Sequence, residues 1–209
     1  MAAPLEALDL AALLCSRVCH DLISPAGAIV NGLEVLEESK DEETKEFALT
    51  LIKKSARTAT ARLQFCRIAF GAAGSLTAQV DTGDAEQLAR GHLEDDKYKI
   101  VWNLPRALLP KNRVKLLLNM LTIATQAIPR GGTMTLDPVG NGESVTFRLT
   151  ATGLNGRVPP HVPGLLAGEL GETIDAHLIQ FYYTGLLARA CGLKATIVAE
   201  GENIVIAAS

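Results

Sequence analysis

His20 and Asp21 stand side by side in the run SRVCHDLISPAGAIVNGLEVLEE, residues 16 to 38, and Pro25 follows five positions after the histidine. A neutral imidazole nitrogen is a nucleophile that needs no separate strong base, and a carboxylate on its other nitrogen fixes which one attacks. Asp21 has two readings. It accepts a hydrogen bond from Nδ1–H of His20 and leaves Nε2 free, or it is a solvated acid, because adjacent helical side chains diverge by about 100°. Pro25 lacks an N–H, so the carbonyl of Asp21 loses its helical partner and a bend is expected there. That bend either tilts the surface around His20 or has no catalytic consequence. Cys15, Cys19 and His20 could be imagined as a metal site. Cys15 and Cys19 are one helical turn apart, with no C-x-x-C pair and no second ligand cluster. Small reduced core residues are the better reading of Cys15, Cys19, Cys66 and Cys191.

The element carrying His20 must present it. Residues 5 to 71 read as helix almost throughout. Leu8, Ala11, Cys15, Val18, Leu22, Ile29, Leu33 and Leu36 recur three or four apart and form a heptad-like seam. His20 falls about 175° from the centre of that seam and faces water. Around it on the outer face are Leu13, Ser16, Arg17, Ile23, Ser24, Gly27 and Asn31. SKDEETK, Ser39 to Lys45, is a charged turn whose acids suit the start of a second helix, Glu42 to Phe70. That helix has a narrow polar stripe (Glu46, Lys53, Arg57, Thr60, Gln64, Arg67) and a broad apolar remainder that includes Phe47, Leu51, Ile52, Leu63, Phe65 and Ile68. One hairpin leaves such a surface partly in water. Pairing two hairpins into a four-helix bundle covers it, so a homodimer is expected.

The remainder alternates shorter segments. GAAGS, Gly71 to Ser75, reads as a linker that divides a helical domain, 1–75, from a second domain, 76–209. Asp84 to Glu94 reads as helix and Tyr98 to Trp102 as strand. Pro110 to Pro129 reads as a helix with proline in its first turn. GGTMTLDPV and ESVTFRLTATG read as strands joined through GNG, Ile174 to Ala190 as helix, and KATIVAE with NIVIAA as a closing hairpin. The pattern βαββαββ defines an α+β chain in which the second domain is a layered sandwich, not a doubly wound parallel sheet.

Bulk properties exclude some functions. Of 209 residues, 21% are charged and the net charge is −3, so no basic field exists for nucleic acid. No apolar run approaches the roughly 18 to 20 residues that span a bilayer. MAAPLEALDL lacks the basic start of a signal peptide. A cytoplasmic protein with no membrane or nucleic-acid partner is expected.

H-D-L-x-x-P, His20 to Pro25, resembles the H-box of two-component histidine kinases, whose histidine accepts phosphate on a dimeric helical hairpin. The second domain is similar in order of elements to the ATP-binding domain of those kinases. Asn119 in LLLNM sits where the kinase helix carries a metal-binding asparagine. Thr150 to Gly153, TATG, takes the place of the kinase D-x-G segment, with Ala151 where the adenine-reading aspartate would be. GELGET, Gly168 to Thr173, stands for the phosphate lid without a basic residue beside it, so nucleotide binding is expected to be lost.

A histidine-bearing hairpin joined to such a degenerate domain is similar to the ChpT-type histidine phosphotransferases of alphaproteobacterial phosphorelays. LCSRVCHDLISPAGAIVNGLEVLEE looks like their N-terminal motif, and the likeness covers essentially the whole chain. It implies a dimer whose His20 takes a phosphoryl group from the receiver domain of a hybrid histidine kinase. The group then passes to response regulators, among them a transcription factor. Mg²⁺ is then expected on the partner receiver and no cofactor on this chain. His20 and Asp21 become the catalytic pair, and Leu13, Ser16, Arg17, Ile23 and Ser24 the candidate receiver contacts. His92, His161 and His177 sit in no comparable setting and read as structural or solvated. Two other functions compete: a dimeric scaffold that binds receivers without carrying phosphate, and an active ATP-dependent histidine kinase.

Overall fold

The computed structural model describes residues 5–71, 78–140, 145–170 and 174–209. Helices α1 (Ala7–Glu38) and α2 (Glu42–Ala69) form the expected hairpin, with Ser39, Lys40 and Asp41 between them. Asp41 caps α2: its carboxylate accepts the backbone N–H of Thr44 at 2.8 Å and the Thr44 hydroxyl at 2.6 Å. Glu42 and Glu43 in the first turn complement the helix dipole.

The rest of the chain builds two sheets. β1 (Gln79–Asp81) and β3 (Leu108–Pro110) pair antiparallel in a small ribbon, with α3 (Thr82–Leu93) and β2 (Tyr98–Trp102) between them in sequence. The main sheet has the order β2-β4-β5-β7-β6, with β4 (Gly132–Val139), β5 (Thr146–Thr152), β6 (Ala195–Glu200) and β7 (Asn203–Ala208). β2 runs parallel to β4, because helix α4 (Lys111–Ala127) carries the chain back across the sheet between them. The other neighbours in that sheet pair antiparallel. Phe147, Leu149 and Ala151 alternate inward along β5 toward the helices. α4 has an almost continuous buried run, since the sheet, α6 (Ile179–Ala190) and the hairpin all pack on it. α5 (Val162–Ala167) lies against α6.

The departures from expectation are local. β1, β3 and α5 are too short for a hydrophobic period to show, and the sequence reading omits them. Pro110 is not in the first turn of α4. It ends β3 and occupies the N-cap position. α6 begins at Ile179 instead of Ile174, because the Asp175 carboxylate accepts the backbone N–H groups of His177 and Leu178 and makes a turn there. Ser75 and the rest of the linker beyond Gly71, the GNG turn beyond Gly140, and the end of GELGET lie outside the described residues. The membrane reading also needs correction: by length and composition alone, α1 is apolar enough to cross a bilayer. The expectation missed it because the apolar residues are interrupted by Arg17 and Asp21.

The hairpin is fastened to the second domain at its open end. The buried Asn119 on α4 donates to the Ala69 carbonyl at 3.2 Å and to the Lys115 carbonyl at 2.8 Å. The Leu5 N–H donates to the Tyr182 hydroxyl on α6 at 3.3 Å, and Leu10, Leu13, Leu14 and Phe70 pack against the domain core. Within the hairpin, Gly32 lets the helices approach: a Cβ there would meet Ile52 Cγ1 at 2.7 Å, whereas one on Gly27 would meet nothing within 4 Å. Gly32→Val is therefore expected to lower stability by about 1–3 kcal/mol. Gly27→Ala should raise it by up to about 1 kcal/mol, both read by chemical unfolding at fixed protein concentration.

His92 on α3 is enclosed beside Phe65, ring centroids 4.3 Å apart, with Nδ1 unpartnered. Burial, and next the Arg62 charge, push its pKa down from 6.5 to about 4. The folded state then excludes a proton that the unfolded chain binds. Stability from neutral His92 is full above pH 6.5 and falls away as pH drops toward 4, by up to about 3 kcal/mol. His92→Gln is expected to flatten the stability curve between those pH values by that amount relative to the parent.

Candidate functional site

His20 lies midway along α1 with its side chain 60% exposed, as the helical spacing requires. Its Nδ1 stands 3.7 Å from Asp21 Oδ1, so the edge bearing Nε2 is turned away from that carboxylate. The distance exceeds a hydrogen bond. Asp21 Oδ2 instead accepts from Arg17 Nε at 3.0 Å, one turn back, and both side chains are largely withdrawn from water. Neither reading of Asp21 is met as stated: the hydrogen bond from Nδ1–H is absent at 3.7 Å, and the acid is not solvated but a half-buried carboxylate paired with Arg17 beside the imidazole.

α1 runs through Pro25 without interruption, and Pro25 itself is buried. The carbonyl that Pro25 leaves without a partner belongs to Asp21, and Arg62 Nη1 of α2 donates to it. The partner helix thus supplies the missing donor. Arg62, Arg17 and Asp21 form a small charged cluster whose field reaches Cys66 and His92. Burial, and then the Asp21 charge, push the Cys66 thiol up to about 11, which keeps it protonated.

The candidate docking residues divide. Ser16 and Ser24 are exposed and Ile23 is 69% exposed. Leu13 is half-buried against the domain core and the Arg17 side chain is only 13% exposed, so these two do not lie open around His20. Cys15 and Cys19, expected in the core, are exposed, while Cys66 is buried and Cys191 intermediate. The expectation that His177 stands apart is overturned. Its ring lies against that of His20, centroids 4.6 Å apart and planes at 81°. Nothing in the sequence signals a pairing across 157 positions. Arg62 had a signal, the orphaned carbonyl, which demands a donor from the neighbouring helix.

In the second domain, Ala151 is fully buried between β4 and β7 and presents no acid. Asn119 is also fully buried, both amide hydrogens are spent on carbonyls, and its oxygen accepts from Gln180 Nε2 at 3.4 Å. It serves as a structural clasp.

An exposed histidine on a helical hairpin, backed by a sandwich domain, is the arrangement expected of a histidine phosphotransferase. The comparisons agree with that class. Residues 82–203 match the histidine phosphotransferase C-terminal domain. The chain is 54% identical over 205 residues to protein phosphotransferase ChpT of Brucella abortus (strain 2308), covering 98% of this chain and 97% of that one. It superposes on a solved structure of a bacterial phosphotransferase with a TM-score of 0.89, at 52% identity, over 99% of this chain and 98% of that one. The chain belongs to the histidine phosphotransferase family and is a phosphorelay phosphotransferase.

The Pro25–Arg62 arrangement is open to a double-mutant cycle. Arg62→Ala should cost about 1–3 kcal/mol of stability by leaving a half-buried carbonyl without a donor. In a Pro25→Ala background, where residue 25 supplies an N–H, the same change should cost clearly less, as read by chemical unfolding.

Proposed function

We propose that His20 is the phosphoryl acceptor, taking the group from the aspartyl phosphate of a hybrid histidine kinase receiver and handing it to response-regulator receivers, a transcription factor among them. The observation that carries this is the placement of the ring. It is 60% exposed on a long helix, with Nδ1 on the side of Asp21. The Nε2 lone pair attacks phosphorus, the P–O bond to the receiver aspartate breaks, and the aspartate leaves as a free carboxylate. Positive charge that develops on the ring is eased by Asp21, whose geometry Arg17 holds. Phosphoryl transfer asks mainly for alignment and charge neutralisation. Mg²⁺ on the receiver supplies the latter, and this chain carries no cofactor of its own. Ser16, Ile23 and Ser24 form the exposed ground on which the receiver docks, with Leu13 and Arg17 beneath it as support.

The working form is a cytoplasmic homodimer. Leu8, Ala11, Cys15 and Leu33 of the expected seam remain in water in one chain, Leu8 at 85% exposure, while Val18, Leu22, Ile29 and Leu36 are half-buried. An apolar groove of about 790 Å³ lies between the helices, lined by residues including Ala11, Cys15, Val18, Leu63 and Phe70. A second hairpin laid on that groove completes a four-helix bundle and accounts for the apolar character of α1 without a membrane.

Incubation with a phosphorylated receiver should load the parent protein with acid-labile phosphate and leave His20→Ala unlabelled. Equal labelling of the two proteins, or none of either, would defeat the assignment. Light scattering should give twice the chain mass, and Leu63→Glu, which places a charge in the groove, should give the mass of one chain.

A further inference from the structure

The contact between His20 and His177 brings the second domain to the reactive ring. His177 is fixed from behind. The Asp175 carboxylate accepts its backbone N–H at 2.8 Å and that of Leu178 at 2.9 Å, which sets the turn that leads into α6. α6 is buried along most of its length, and its Tyr182 hydroxyl accepts the Leu5 N–H two residues before α1 begins. The histidine ring at the head of α6 is therefore held against α1 by the clasp that joins the two domains.

On the other side, Asp21 is too far from Nδ1 for a hydrogen bond and is already engaged by Arg17. The carboxylate alone does not select one orientation of an exposed imidazole, which otherwise turns freely about its Cβ–Cγ bond. A perpendicular ring at 4.6 Å fixes the plane, because the favourable edge-to-face arrangement is lost when either ring turns out of it, and within that plane the Asp21 carboxylate, 3.7 Å from Nδ1, favours one of the two flips.

We propose that His177 is a positioning residue for phosphotransfer: its ring holds the His20 imidazole with Nε2 directed away from the hairpin, toward the incoming phosphorus. This rests on His20 being the acceptor. His177 touches no reacting atom and acts through the orientation of its neighbour. The second domain thereby takes part in aiming the nucleophile, a role independent of any nucleotide.

The test is single-turnover transfer from a phosphorylated receiver over a range of receiver concentrations, with the parent, His177→Ala, His177→Phe and His20→Ala. His177→Ala is expected to lower the maximal rate roughly 3- to 10-fold, the population bias of one edge-to-face pair, with the half-saturating receiver concentration unchanged. His177→Phe, which keeps a ring but no titratable group, is expected to restore the rate. Proton NMR of the full-length dimer gives a second readout: the His20 ring signals should move in His177→Ala and return toward the parent values in His177→Phe. An unchanged maximal rate in His177→Ala overturns the proposal, as does a change confined to the half-saturating concentration, which would make His177 a receiver contact. If the alanine variant folds poorly, the phenylalanine variant decides: a rate well below the parent overturns the proposal. Failure of the parent to label, or labelling of His20→Ala, would count against the acceptor assignment instead, and the ring signals would still report whether the contact exists.

Discussion

A proline in the middle of α1 leaves one main-chain carbonyl without its helical donor, and the arrangement around His20 depends on how that carbonyl is satisfied. Arg62 reaches across from α2 to Asp21 and so places a positive charge between the helices. That charge lies where the Asp21 carboxylate and Arg17 already pair. A half-buried carboxylate beside an exposed imidazole is costly unless a cation holds it; Arg17 pairs with it directly, while Arg62 binds the main-chain carbonyl of the same residue. The defect in the backbone and the electrostatics of the site are thus one feature.

The same economy appears where the domains meet. The hairpin has few buried residues: Pro25 and Gly32 in α1, and five in α2, of which Phe65, Cys66 and Ala69 lie toward its end. Its rigidity near His20 comes from docking on α4 and α6, through Asn119, Tyr182 and the apolar residues around Leu10, Leu14 and Phe70. α4 is buried on nearly all sides because it must serve the sheet and the hairpin together. His92 marks the cost of that interface, a neutral imidazole enclosed among charges, which ties fold stability to pH.

Much of this could be read from residue order. The 3.6-residue period placed α1 and α2 and turned His20 outward, and proline and glycine boundaries located α4 and the closing hairpin. The fold class followed from the antiparallel strand pattern. What escaped were features without a period or with partners far away in sequence. β1 and β3, at three residues each, carry no periodic signal. Leu13 and Arg17 have outward helical phases, yet Leu13 packs on the domain core and Arg17 folds onto Asp21, contacts that no helical projection contains. His177 meets His20 only through the clasp of α6 on α1, so its spacing in sequence held no hint.

Asn119 has a longer consequence. Its amide closes the end of α2 onto α4, and its oxygen is taken by Gln180. Any substitution that freed this side chain to serve another ligand would first loosen the joint between the two halves of the chain. A ligand could therefore be won at this position only together with a second change that seals the joint again, so the fold itself guards the residue.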